Sequence, residues 1–113
     1  MHANHKSRTK MEKLSSSERS FLRRQAHHLE PIVFIGKSGI TDGTIEMVNK
    51  ALEARELIKI KFREYKDEKK SLSHQIASST ESNLVGIIGH TVILFRNNPN
   101  NKNQNYTFHS SSK

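Results

Sequence analysis

Cysteine is absent from the 113 residues. That excludes disulfides, sulfur-ligated zinc and a thiol nucleophile, and it suits a reducing compartment. Apolar residues are scarce, at 33%, which predicts a compact core with some chain left outside it. No apolar run approaches the roughly 18 residues needed to cross a bilayer. Residues 1–13 contain no apolar stretch of the kind a secretory signal requires. The expectation is a one-domain, soluble, cytoplasmic protein.

Acidic residues are also outnumbered. Nineteen Lys and Arg stand against 11 Asp and Glu, for a formal charge of +8. Such a balance favours a polyanionic partner, either nucleic acid or an anionic membrane surface. The excess is uneven: residues 1–30 carry +4, residues 31–96 carry +2 and residues 97–113 carry +2. Much of it lies near the ends, so the total does not itself define a site. Residues 1–13 read as a flexible basic arm and residues 14–96 as the folded domain. Residues 97–113, rich in Asn and Ser, read as a disordered tail.

The middle of the chain is strongly patterned. Ser15 and Glu18 have capping-box spacing, and Phe21, Leu22, Gln25, Ala26 and Leu29 follow at helical spacing. Pro31 cannot continue that helix. Residues 32–35, all apolar, read as a short buried strand. Residues 36–39 are a turn, and Thr41 is placed to cap a second helix with Asp42 in its first turn. Ile45, Val48 and Leu52 form that helix's apolar stripe. Ile58, Ile60 and Phe62 then alternate with Lys59, Lys61 and Arg63, predicting a half-buried strand with a basic outer row. A charged connection leads to a third helix over about residues 68–79. Two apolar runs, 84–88 and 91–95, are split by Gly89-His90, which suits a two-residue type II′ hairpin turn. The order α-β-α-β-α-β-β predicts an α/β fold: one mixed sheet with helices packed on it.

Chemistry that needs converging side chains is missing. Seven histidines are present, but His27 and His28 are adjacent and point about 100° apart on a helix. His2 and His5 fall in the arm, and His74, His90 and His109 have no partner at ligand spacing. The carboxylates lie among lysines on exposed faces, and neither a nucleophile elbow nor a phosphate-loop motif occurs. No metal, cofactor, small-molecule substrate or enzymatic activity is expected.

The segment Gly36-Lys37-Ser38-Gly39 offers binding chemistry instead. Glycines let another backbone come close and permit positive φ. The turn's N–H groups could receive a phosphate, helped by the Lys37 charge, the Ser38 hydroxyl and the positive end of the helix starting at Thr41. KH domains clamp nucleotides with a GXXG loop of this logic. The same spacing recurs at Gly86-Ile87-Ile88-Gly89, where the apolar inner residues indicate a structural role. For the first copy, a plain strand-to-helix turn is the competing reading.

Four blocks then carry a resemblance. Leu22-Arg23-Arg24-Gln25-Ala26-His27-His28-Leu29-Glu30-Pro31 leads into Ile35-Gly36-Lys37-Ser38-Gly39-Ile40-Thr41. Later come Glu56-Leu57-Ile58-Lys59-Ile60-Lys61 and Ile88-Gly89-His90-Thr91-Val92-Ile93-Leu94-Phe95-Arg96. Together, over about residues 14–96, they closely resemble the CRM domain family (chloroplast RNA splicing and ribosome maturation) in its single-domain bacterial YhbY-like form. The resemblance implies a four-stranded α/β fold similar to the C-terminal domain of translation initiation factor three. It also implies RNA binding through the GXXG loop and a neighbouring basic surface, and association with precursors of the large ribosomal subunit. The family's loop and basic positions fall on Arg23, His27, Gly36, Lys37, Gly39 and Arg96. Three departures stand out: Glu30 where a basic residue is common, Phe95 for a frequent Tyr, and Arg55 for a common His.

The expected RNA-binding set is therefore Arg23, Arg24, His27, Gly36, Lys37, Ser38, Gly39, Thr41 and Arg96. Lys59, Lys61 and Arg63 extend it if the third helix leaves their face of the sheet open. The expected partner of this monomer is ribosomal RNA or a pre-large-subunit particle, with no membrane. The rival readings are a protein-interaction module docking on a ribosomal protein or assembly factor, a nonspecific nucleic-acid binder, and an RNA-modifying enzyme without a recognised motif.

Overall fold

Capping chemistry starts the first two helices where the sequence places them. In the computed structural model, which describes residues 13–98, helix α1 spans Ser16–Ala26. The Ser15 hydroxyl accepts from the Glu18 N–H at 3.1 Å, and the Glu18 carboxylate accepts from the Ser15 N–H at 3.0 Å. The helix ends a turn before Leu29, which nonetheless packs against the core. Strand β1 (Val33–Ile35) leads through the glycine turn to α2 (Asp42–Arg55). Thr41 and Thr44 cap α2 reciprocally, each hydroxyl accepting the other's N–H at 3.2 Å. Then come β2 (Leu57–Phe62), a 3-10 turn at Lys66–Glu68, α3 (Lys69–Ser79), β3 (Asn83–Ile88) and β4 (Thr91–Phe95). The α-β-α-β-α-β-β order is the one expected.

The four strands form one mixed sheet in the order β1-β2-β4-β3, with β1 parallel to β2 and the other neighbours antiparallel. Gly89 takes φ +61° in the β3–β4 turn, the positive φ that type II′ needs at its first central residue. Ile58, Ile60 and Phe62 meet Val48 and Leu52 of α2 and Ile76 and Ala77 of α3 on one face. On the other face Leu22 and Ala26 of α1 meet Leu57, Val85, Ile93 and Phe95. Each fully buried Leu, Ile, Val or Phe side chain among these contributes about 2 kcal/mol through the hydrophobic effect.

Two long helices therefore share one face, while α1 alone lies on the other and leaves part of it uncovered. The register shows where. Leu57 pairs with Phe95 beneath α1, Lys59 pairs with Ile93 in the next row, and Phe34, Lys61, Thr91 and Ile88 make up the row beyond. Phe34 is 41% exposed and Ile88 is 55% exposed. The expectation of a buried first strand is thus corrected in part. β1 is an edge strand whose Val33 and Ile35 are buried and whose Phe34 is not.

The tail boundary also shifts. Asn97 and Asn98, assigned to the disordered tail by composition, are buried. The Asn98 side-chain amide donates to the Leu52 and Glu53 carbonyls at 3.1 and 3.0 Å, and its backbone N–H donates to the Glu56 carboxylate at 2.8 Å. Carbonyls in the last turn of a helix run short of internal donors. The Leu52 carbonyl accepts from the Glu56 N–H at 2.9 Å, and Asn98 adds a side-chain donor to it and to the Glu53 carbonyl. The rest of the expected tail, and residues 1–12 of the expected arm, lie outside the described residues. Among the described residues no helix is long and apolar enough to cross a membrane.

Candidate nucleic-acid interface

The Gly36-Lys37-Ser38-Gly39 segment is a closed turn: the Gly39 N–H donates to the Gly36 carbonyl at 3.0 Å. Gly39 takes φ +71°, a conformation that disfavours any side chain. Gly36 has no such φ, and a Cβ placed on it would meet nothing within 4 Å. Its requirement comes from no neighbour in the fold, and its outer surface is open to an approaching strand. Lys37 and Ser38 are exposed. Thr41 is exposed too, but its hydroxyl is engaged in the α2 cap. Its contribution is to begin the helix whose positive end lies just beyond the turn.

Tyr65, in the connection after β2, braces this turn. Its hydroxyl donates to the Lys37 carbonyl at 2.6 Å. Its ring lies 3.5 Å from the position a Gly39 Cβ would take. Tyr65 itself adopts φ 58°, ψ 37°, a left-handed conformation that costs a non-glycine residue about 1–2 kcal/mol. Residue types alone gave no sign of this brace, since Tyr65 sits in a charged connection between Glu64 and Lys66. A lone aromatic among charges was the only trace. A shallow concavity beside Tyr65 is lined by the cations Lys37, Arg63 and Lys66 and by the acids Glu64, Asp67 and Glu68.

Arg63 links the turn to the uncovered sheet face. Its guanidinium carbon stands 4.2 Å from the centre of the Phe34 ring, within cation–π range. Lys61, exposed, pairs with Phe34 across β1 and β2. The third helix packs on the opposite face, so the condition set for the basic row is met for Lys61 and Arg63. Lys59 is half-buried, and its ammonium donates to the Leu29 carbonyl at 2.9 Å, tying down the chain between α1 and β1.

Arg23 reaches the same face from α1. A Cβ built on Gly86 would lie 3.3 Å from the Arg23 Nε. The guanidinium rests where β3 has no side chain. The second glycine pair thus has a structural task that spacing alone could not reveal: Gly86 seats Arg23, and Gly89 makes the hairpin. Arg24 is exposed and donates to the Ser20 hydroxyl at 3.2 Å, pointing along the helix. His27 is exposed at the α1 C-terminus, its ring set edge-on to His28 at 5.6 Å.

Arg96 departs from expectation. It is 5% exposed, and its guanidinium donates to the Asn49 side chain at 2.8 Å and to the Thr80 carbonyl at 2.9 Å. It also donates to the Asn49 carbonyl and the Glu53 carboxylate, both at 3.1 Å. These bonds fasten α2 to the end of α3, and a guanidinium held this way is not offered to a phosphate. The surface role expected of Arg96 is replaced by a structural one. Phe95, the residue before it, is buried beneath α1. Among the described residues no group of three His, Asp or Glu side chains converges as a metal site.

The interface thus brings together the 36–39 turn, Lys37, Arg63, Lys61 and, across the sheet, Arg23. Comparison with known proteins places the chain in a family. The model of the CRS1/YhbY (CRM) domain matches residues 14–96. The chain is 38% identical over 90 residues to the probable RNA-binding protein YqeI of Bacillus subtilis, covering 79% of this chain and 94% of the relative. It is also 38% identical over 87 residues to an RNA-binding protein of Haemophilus influenzae, covering 76% and 88%. The solution structure of the hypothetical protein SAV1595 from Staphylococcus aureus, itself described as a candidate RNA binding protein, superposes with a TM-score of 0.70. That match has 34% identity and covers 84% of this chain and all of the other. These relatives are described as RNA-binding proteins and not as enzymes. The chain belongs to the CRS1/YhbY (CRM) domain family.

Proposed function

We infer that this protein binds RNA without catalysis. The backbone of the RNA rests on the 36–39 turn, and the strand continues over the uncovered sheet face. The observation that carries this reading is that Lys37 of the turn and Arg63 of the sheet face line one concavity, so the turn's lysine and the sheet face's arginine are within reach of one strand. The descriptions of the relatives as RNA-binding proteins support it. The family resemblance supports a narrower reading: a cytoplasmic monomer that binds ribosomal RNA, or a precursor particle, during assembly of the large subunit.

Affinity for RNA measured across a salt series tests the first part. Phosphate contacts release counterions, so the logarithm of the affinity falls linearly with the logarithm of salt. Replacing Lys37 by Ala should weaken binding to all sequences alike and reduce the slope by about one, with the fold unchanged. A flat salt dependence, or equal affinity for competing duplex DNA, would count against RNA recognition. Crosslinking in cells followed by sequencing of the bound RNA tests the second part. Recovery of large-subunit ribosomal RNA is expected, and its absence from the recovered RNA would remove the assembly role.

A further inference from the structure

We propose that the Phe34–Arg63 pair is a stacking platform for an unpaired base, so that this face selects single-stranded segments of RNA over duplex. The proposal rests on the RNA-binding reading above and names the form of RNA it concerns.

Three observations converge on the pair. First, Phe34 is 41% exposed because β1 is the edge strand and α1 stops short of its row. A single exposed aromatic is ordinary on a protein surface, so exposure alone decides nothing. Second, the Arg63 guanidinium stands over the ring at 4.2 Å, so the two flat groups already form a short stack at an accessible edge, which a base would extend from the guanidinium or from the ring's free face. Bases splayed from single-stranded loops stack on aromatic rings and on guanidinium planes, whereas the wide minor groove of an RNA duplex displays hydroxyls and phosphates. Third, the chemistry around the pair suits a polyanion. The row across the sheet reads Phe34, Lys61, Thr91 and Ile88, with no carboxylate in it, and it spans roughly 14 Å at the usual strand spacing. Arg63 also lines the concavity of Lys37, so a strand whose phosphate rests on the 36–39 turn has an adjacent surface for its base. Glu64, Asp67 and Glu68 line the same concavity, whereas the row across the sheet carries no acid, so a polyanion is favoured over the sheet rather than deeper in the concavity.

A protein partner docking on Phe34 and Ile88 is the competing occupant. The cations flanking Phe34 favour RNA, and the test separates the two. A single-stranded RNA oligonucleotide and the same strand annealed to its complement are titrated with the full-length protein, its Phe34→Leu variant and its Arg63→Lys variant. Leu keeps apolar area and removes the aromatic face; Lys keeps the charge and removes the planar group. Both variants should lose about tenfold in affinity for the single strand and little for the duplex. The salt slope should stay the same, because no charge is removed. Wild-type protein that binds duplex as tightly as single strand would overturn the proposal. So would full single-strand affinity in Phe34→Leu, including the case in which that variant loses only a protein partner. If Lys37→Ala still weakens RNA binding while Phe34→Leu does not, the platform fails and the RNA-binding reading stands. If no RNA binds the wild-type protein, both fail.

Discussion

The Tyr65 hydroxyl donates to the Lys37 carbonyl at 2.6 Å, across 28 residues of sequence. The bond fixes the turn that carries the exposed lysine from a residue outside the strand-turn-helix unit. Tyr65→Phe keeps the ring against Gly39 and removes only this bond. A loss of stability near 1 kcal/mol is expected from one such bond, read from the denaturation midpoint at constant m. The Gly39 amide should exchange with solvent faster, and RNA affinity should fall several-fold. Unchanged amide exchange would show that the turn holds its shape without Tyr65.

Gly36 and Gly39 should respond differently to alanine. Gly39 has φ +71°, so Gly39→Ala is strained and should cost about 1 kcal/mol or more of stability. Gly36 has open space where a Cβ would sit and no positive φ, so Gly36→Ala should leave stability within about 0.5 kcal/mol. If RNA passes close over the Gly36 backbone, the same variant should bind RNA less tightly. Thermal melts and a binding titration on the pair separate a folding requirement from a binding requirement. Wild-type affinity in Gly36→Ala would show that the strand does not approach there.

Arg96 tests the opposite combination. Its bonds to Asn49, Thr80 and Glu53 are lost in Arg96→Ala, and the buried Thr80 carbonyl loses its Arg96 donor. A destabilisation of about 3 kcal/mol is expected, with RNA affinity per folded molecule unchanged below the melting transition. A stable variant with weakened RNA binding would restore the contact role expected from the sequence.

These cases show why the fold was more legible than the site. Element order follows from local signals: Ser15 with Glu18, Thr41, the alternation of Ile58, Ile60 and Phe62, and Gly89 between two apolar runs. Each acts within a few residues. The candidate site depends on contacts between distant segments: Tyr65 to Lys37, Arg63 to Phe34, Arg23 to Gly86. Residue type does not encode which arginine is buried. Arg96 and Arg23 both match basic family positions, yet one fastens two helices and the other lies on the open sheet. Phe34 was hidden for a related reason, because an apolar run reads as buried until the strand is known to lie at an edge.

His90, in the β3–β4 turn, has its pKa lowered from the ordinary histidine value of 6.5 by desolvation and then by the nearby charges of Lys69 and Lys66. Geometry agrees with the direction. The Lys69 ammonium lies 3.0 Å from the His90 Nδ1 and has only protons to donate, so this nitrogen accepts and stays unprotonated. A base with a depressed folded pKa contributes stability above its unfolded pKa, and that stability is lost as pH falls. The window therefore opens below about pH 6.5. An NMR titration should place His90 below that value, and Lys69→Gln should raise it. A midpoint at or above the free-histidine value would show that Lys69 does not hold the ring neutral.

The seating of Arg23 on Gly86 can be tested through their coupling. A Cβ at Gly86 would come within 3.3 Å of the Arg23 Nε, and a flexible side chain can move aside for a methyl group. Gly86→Ala should therefore be mild. Gly86→Val is bulkier, suits a strand, and should push the guanidinium off the sheet face. If Arg23 contacts RNA from this seat, Gly86→Val and Arg23→Ala should each weaken binding by a similar factor. The double variant should be little worse than either, because two changes that remove one interaction are not additive. Additive losses would place the effects of Arg23 and Gly86 at separate points on the RNA. Loss of affinity in Arg23→Ala alone would mean that the arginine acts from another position. The comparison requires that Gly86→Val stays folded, which far-UV circular dichroism and a melting curve on the same sample establish before any binding is measured.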